Sequence, residues 1–132
     1  MRNQVLAIAL ALLATPGLSE TYDCTTTNYG SDGWISDRII LGLDREAEVG
    51  SAFDYYINEV HKAPIPVTLK KRNETSYRFD WKLRNVKSNN SGSAILSHTV
   101  ILNTSARTFT IRGRLHGYDN VIRGNGTCEV VK

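Results

Sequence analysis

Between Ser76 and Val86 the chain alternates without a break, with Tyr77, Phe79, Trp81 and Leu83 on one side and Arg78, Asp80, Lys82 and Arg84 on the other. A period of two is the repeat of an extended strand, whose successive side chains leave on opposite faces. A helix would spread these four large apolar groups around its circumference. The stretch is therefore a strand with one buried and one wet face, and the rest of the chain has to supply a sheet around it.

The same alternation recurs along the chain. Thr21–Thr27 places Tyr22, Cys24 and Thr26 on one face, and Arg38–Leu43 places Ile39, Leu41 and Leu43. Ala47, Val49, Ser51 and Phe53 are expected to continue the pattern on a third strand, with Gly50 a weak point or bulge. Val67–Arg72 forms a hairpin with the central strand through Asn73 and Glu74. Ala94–Leu102 is a further strand. Arg107–His116 returns from it with Phe109, Ile111, Gly113 and Leu115 inward, and Thr127–Val131 is the last strand. Loops rich in Gly, Asn, Asp and Ser separate these segments, at 28–33, 87–93, 117–120 and 124–126. From Asp54 to Pro66, Tyr55, Tyr56, Ile57 and Val60 fit either one amphipathic helical turn or an irregular strand. Pro64 and Pro66 are expected to forbid regular structure just beyond and to favour an extended path there. This segment is expected to cross one end of the sheet.

About eight short strands and no helix of ordinary length make an all-β fold. The simplest arrangement is an antiparallel meander closed or nearly closed into a barrel, with a β-sandwich as the alternative way to protect the sheet edges. The two cysteines favour closure. Cys24 on the first strand and Cys128 on the last would be neighbours in a barrel and are expected to form a disulfide joining the termini.

Residues 1–19 read as a secretory signal peptide: Arg2, the 10-residue apolar run Val5–Ala14, then Pro16, Gly17 and Ser19. The run is half the length of a membrane span. Residues 20–132 are left as a single β domain. Export to an oxidising compartment, periplasmic or secreted, is the expectation that also makes the disulfide the default. The formal charge of +3 loses only Arg2 with the leader. Basic residues are mixed with acids apart from Lys70–Arg72, which suits a solvated strand end, and no nucleic-acid partner is expected.

No constellation for chemistry is visible. His61, His98 and His116 are far apart and none has a ligand partner at metal spacing, so no metal and no cofactor are expected. His116 and Asp119 share a loop region, but no particular serine or threonine can be chosen as their nucleophile. Two regions could bind. Tyr118, Asp119, Asn120 and Arg123 form either a recognition loop or a set of turn caps, with Arg123 pairing with Asp119. Trp34, Tyr55 and Tyr56, with Tyr29, either line a barrel mouth or plug the core. Sequons at Asn73, Asn89, Asn103 and Asn125 mark candidate exposed turns.

Tyr22-x-Cys24, Gly33-Trp34 and Gly117-Tyr-Asp-Asn-x-x-Arg-Gly-x-Gly-x-Cys128 together resemble small exported bacterial proteins of uncharacterised function. That resemblance implies bacterial export and carries no activity to transfer. More distantly, Tyr22-Asp-Cys24 with Cys128 is similar to the periplasmic inhibitors of c-type lysozyme, which are disulfide-closed barrels. The inhibitory Ser-Gly-x-x-Tyr loop of that family is replaced here by Ser91-Gly-Ser-Ala-Ile95. The expected function is a monomeric, non-enzymatic binding module for an unknown protein or small ligand at the cell envelope. Lysozyme inhibition and an envelope enzyme with a site assembled only in three dimensions are the alternatives.

Overall fold

The computed structural model describes residues 19–29, 33–87, 92–118 and 121–131. All but the last residue of the leader reading lies outside them. Eight strands, β1 (Ser19–Asn28), β2 (Arg38–Asp44), β3 (Val49–Phe53), β4 (Ile65–Asn73), β5 (Ser76–Lys87), β6 (Ser93–Asn103), β7 (Thr108–Leu115) and β8 (Val121–Val131), form one closed antiparallel barrel in sequence order. The sandwich alternative is excluded. Each strand pairs with its neighbours in sequence, and β8 closes on β1.

Cys24 and Cys128 face each other directly across the β1–β8 seam and are bonded through their sulfurs. Both lie inside the wall, where they are buried. The central alternation falls as the sequence requires. Tyr77, Phe79, Trp81 and Leu83 are buried, and they meet Tyr22, Ile39, Leu41, Leu43, Leu96, Val100, Leu102, Phe109 and Ile111 in one core that fills the barrel. Burying each such side chain contributes roughly 1.5–3 kcal/mol.

Three expectations are corrected. β3 has the opposite phase: Ala52 is buried, Val49 is exposed, and a Cβ at Gly50 would sit 3.1 Å from Phe79 and 3.2 Å from Leu69. Gly50 is in unbroken register with β2, opposite the buried Leu43, and is no bulge; the position faces inward, and the Phe79 ring and the Leu69 side chain occupy the volume a larger side chain would need. Gly124 and Gly126 lie within β8 and not in a loop. A Cβ at Gly126 would fall 1.9 Å from the Thr25 carbonyl oxygen, so glycine permits the close approach of β8 to β1. Arg123 is consequently a strand residue on the outer wall, paired in register with Arg112.

Residues 54–64 contain a helix, α1 (Tyr55–His61), which settles the choice between helical turn and irregular strand; the prolines, however, do not keep regular structure away, since β4 starts at Ile65 and Pro66 lies opposite Ser51 of β3. Asp54 caps it, its Oδ1 accepting from the Ile57 backbone N–H at 2.8 Å, and Lys62 ends it at φ 63°. Ile57 is fully buried, and α1 packs against β5 and β3.

In such a meander alternate connections share an end. The strand ends at Asn28 and Arg38, Phe53 and Ile65, Lys87 and Ser93, and Leu115 and Val121, with α1 among them, lie at one end, called here the loop end. The tight β2–β3, β4–β5 and β6–β7 turns lie at the other. There Arg45 donates to both carboxylate oxygens of Glu20, and its guanidinium carbon lies 5.6 Å from the centre of the Tyr77 ring. Tyr22 also donates to Glu20. Arg45 holds the Glu20 carboxyl below its ordinary value, while burial pushes the Tyr22 phenol up to about 12.

Candidate functional site

The loop end carries the aromatics that the irregular segments contain. Trp34 precedes β2 at φ 67°, a strained value for a bulky residue. Two contacts hold it there. Its carbonyl oxygen lies 2.8 Å from His98 Nε2, and its ring packs on Tyr56 at 5.6 Å between centroids. Tyr55 meets Tyr56 edge-on at 5.1 Å. Below them His98 contacts Tyr56 at 6.5 Å and Trp81 at 5.4 Å. The structure thus brings Trp34, Tyr55 and Tyr56 together, partly as a plug and partly as a surface: Trp34 and Tyr56 are half-buried, whereas Tyr55 is 61% exposed.

Beside this stack a cleft of about 440 Å³ runs over the outer-facing pair Ile40 and Phe53, between the 35–38 segment and the start of α1. Ser36 and Asp54 line it, and although both are buried, Ser36 Oγ and Asp54 Oδ2 have no hydrogen-bond partner. Deeper in, Trp81 Nε1 and His98 Nδ1 are buried and unpartnered too. Buried polar atoms are satisfied in the great majority of cases, so four at one end of one barrel set that end apart. Burial holds His98 below its ordinary pKa against the opposing pull of the Asp54 carboxylate and the bond to the Trp34 carbonyl. The adjoining segment is pinned by Thr26 Oγ1 donating to the Ser36 carbonyl at 2.8 Å and by Tyr29 donating to Asp37 at 2.5 Å.

Of the other expected cluster, two members are described. Tyr118 is at the loop end and 57% exposed, Asp119 and Asn120 lie outside the described residues, and Arg123 projects from the outer wall of β8. Among the sequons, Asn73 and Asn103 accept backbone N–H bonds within their own turns, and Asn125 bonds Asn28 at 2.9 Å. Asn89 is outside the described residues.

Sequence reasoning missed two features. His116 does have a hydroxyl partner: its Nε2 lies 2.8 Å from Ser97 Oγ. Ser97 sits in the middle of β6, paired on both sides with β5 and β7, and no pair of free backbone N–H groups flanks it to take an oxyanion. The second is a row of arginines on the outer wall of β7 and β8, visible only once the register of β8 is known. Among the described residues, no group of three or more His, Cys, Asp or Glu side chains could hold a metal ion, and no helix is long and apolar enough to cross a membrane. Comparisons with protein-family models, curated proteins and solved structures found no match.

Proposed function

We propose that the protein is an exported, non-enzymatic binding module that engages a protein or small ligand of the cell envelope through the loop end of its barrel. The observation that carries this reading is the distribution of exposed tyrosines. Among the described residues, those most open to solvent are Tyr29 at 48%, Tyr55 at 61% and Tyr118 at 57%, and all three sit on connections at that end. Rigid amphipathic rings on a fixed support are what contact surfaces are built from. The filled core leaves the cleft beside α1, with its unpartnered Ser36 and Asp54 atoms, as the place for a polar group. The disulfide is consistent with an oxidising location.

Photocrosslinking in the envelope of an expressing bacterium tests the reading. A photoreactive phenylalanine at position 55 or 118 is expected to give discrete adducts, and one at exposed Val49, at the opposite end, none. Equal labelling from both ends, or none from 55 and 118, would overturn it. Two further assays address the alternatives. Ester hydrolysis abolished by Ser97→Ala would establish the enzyme reading through the Ser97–His116 pair, and suppression of c-type lysozyme in a turbidity assay would establish the inhibitor reading.

A further inference from the structure

The outer wall of β6, β7 and β8 holds a second surface, a basic one that meets the tyrosine end at Tyr29. Cross-strand register places Asp80, Thr99, Arg112 and Arg123 in one row, and Ser97, Arg114 and Val121 in the next. Arg112 and Arg123 are therefore directly opposite each other, with Cβ atoms about 5 Å apart, an arrangement of like charges that costs stability. Arg114 follows about 7 Å along β7 on the same face. Among the described residues none of the three makes an ion pair. The acid in their row, Asp80, is engaged by Arg78 at 2.8 Å and by the Thr99 hydroxyl at 2.6 Å.

These side chains line a trough. One cleft of about 410 Å³ includes Tyr29, Thr110, Arg123 and Asn125, and a second of about 250 Å³ includes Ser97, Arg114 and Val121. Thr99 and Arg112 belong to both, which makes the two continuous.

We propose that this trough binds an anionic polysaccharide, with Arg112, Arg123 and Arg114 taking successive carboxylate or sulfate groups. The hydroxyl of Thr110 and the amide N–H groups of Asn125, whose oxygen is taken by Asn28, meet sugar hydroxyls. Forked guanidiniums match planar or tetrahedral oxyanions, and an unneutralised pair becomes favourable once an anion lies between its members. A nucleic acid fits less well. Among the described residues Tyr29 is the one aromatic that lines the trough, where a strand of bases would need several rings in series.

The test is calorimetric titration of the full chain with polygalacturonate and with heparin, using neutral dextran and single-stranded DNA as comparisons. Both acidic polysaccharides, or one if the trough discriminates carboxylate from sulfate, are expected to bind, weakening as salt rises. The double variant Arg112→Gln, Arg123→Gln is expected to lose about tenfold or more in affinity, while Arg84→Gln, an equal charge change per site on exposed β5, changes it by less than about twofold. Thermal melting of the double variant is expected to match or exceed that of the parent, which separates lost binding from lost fold. Absence of binding to either polysaccharide, equal binding of dextran, tighter binding of DNA, or equal losses in both variants would overturn the proposal.

Discussion

His98 shows how one residue couples the stability of the loop end to pH. It is 1% exposed, and burial lowers its pKa below the ordinary 6.5. A base whose folded pKa is depressed binds fewer protons in the folded than in the unfolded state. Its contribution is complete above pH 6.5 and is lost as pH falls from there toward the folded value, by up to about 1.4 kcal/mol per pH unit. Glu20 and Asp23, lowered by Arg45 and Arg38, act in a separate window that opens only below about 4.5. Urea midpoints measured across pH 4.5–7 are expected to fall with pH in the parent and to flatten in His98→Gln, which keeps an N–H for the Trp34 carbonyl. Asp54 makes a second prediction. Asp54→Ala removes the cap of α1 and is expected to cost about 1 kcal/mol, whereas Asp54→Ser, which can still accept from the Ile57 N–H, recovers most of it; chemical denaturation reads both. Neither role was legible beforehand. A histidine in an alternating strand looks the same facing in or out until its neighbours are known, and Asp54 declares itself a cap only once the following turn is helical.

At the scale of elements, strands whose inward positions are mostly large apolar residues were readable, and those whose inward positions are largely glycine were not. The faces of β5 and β7 follow directly from Tyr77 to Leu83 and from Phe109 to Leu115. β3 and β8 were misjudged for one physical reason: glycine carries no hydrophobicity, so an inward glycine is legible only where large apolar residues flank it on the same face, as Ile111 and Leu115 flank Gly113 but nothing comparable flanks Gly50 or the pair Gly124 and Gly126. The purpose of such a glycine appears only as the atom its missing Cβ would strike. This makes a graded prediction. Gly126→Ala drives a methyl against the Thr25 backbone oxygen and is expected to destabilise by about 2–3 kcal/mol or more. Gly42→Ala meets the rotatable Ser51 hydroxyl at 2.4 Å and is expected to cost less than half as much; thermal melts of the two variants give the comparison. The arginine trough was hidden by the same misreading, since Arg123 joins Arg112 only when β8 begins before Gly124.

For the whole molecule, the barrel followed from two inferences, sequential hairpins and a cysteine near each end of the domain, and the register at the seam agrees with both. What lay beyond reach was which connections share an end, because that depends on counting every strand correctly. The seam bond closes a separation of 104 residues. On the chain-entropy model such a bond stabilises by about 4–5 kcal/mol, so Cys24→Ala with Cys128→Ala is expected to lower the unfolding free energy by several kcal/mol, read from urea curves with and without the bridge. The same bond makes the backbone between Cys24 and Cys128 a covalent ring. A single proteolytic nick in any connection within that ring converts one chain into two pieces that remain one molecule. Such a nick is invisible on a non-reducing gel and gives two bands after thiol treatment, so the barrel can be opened at a tip without being dismantled.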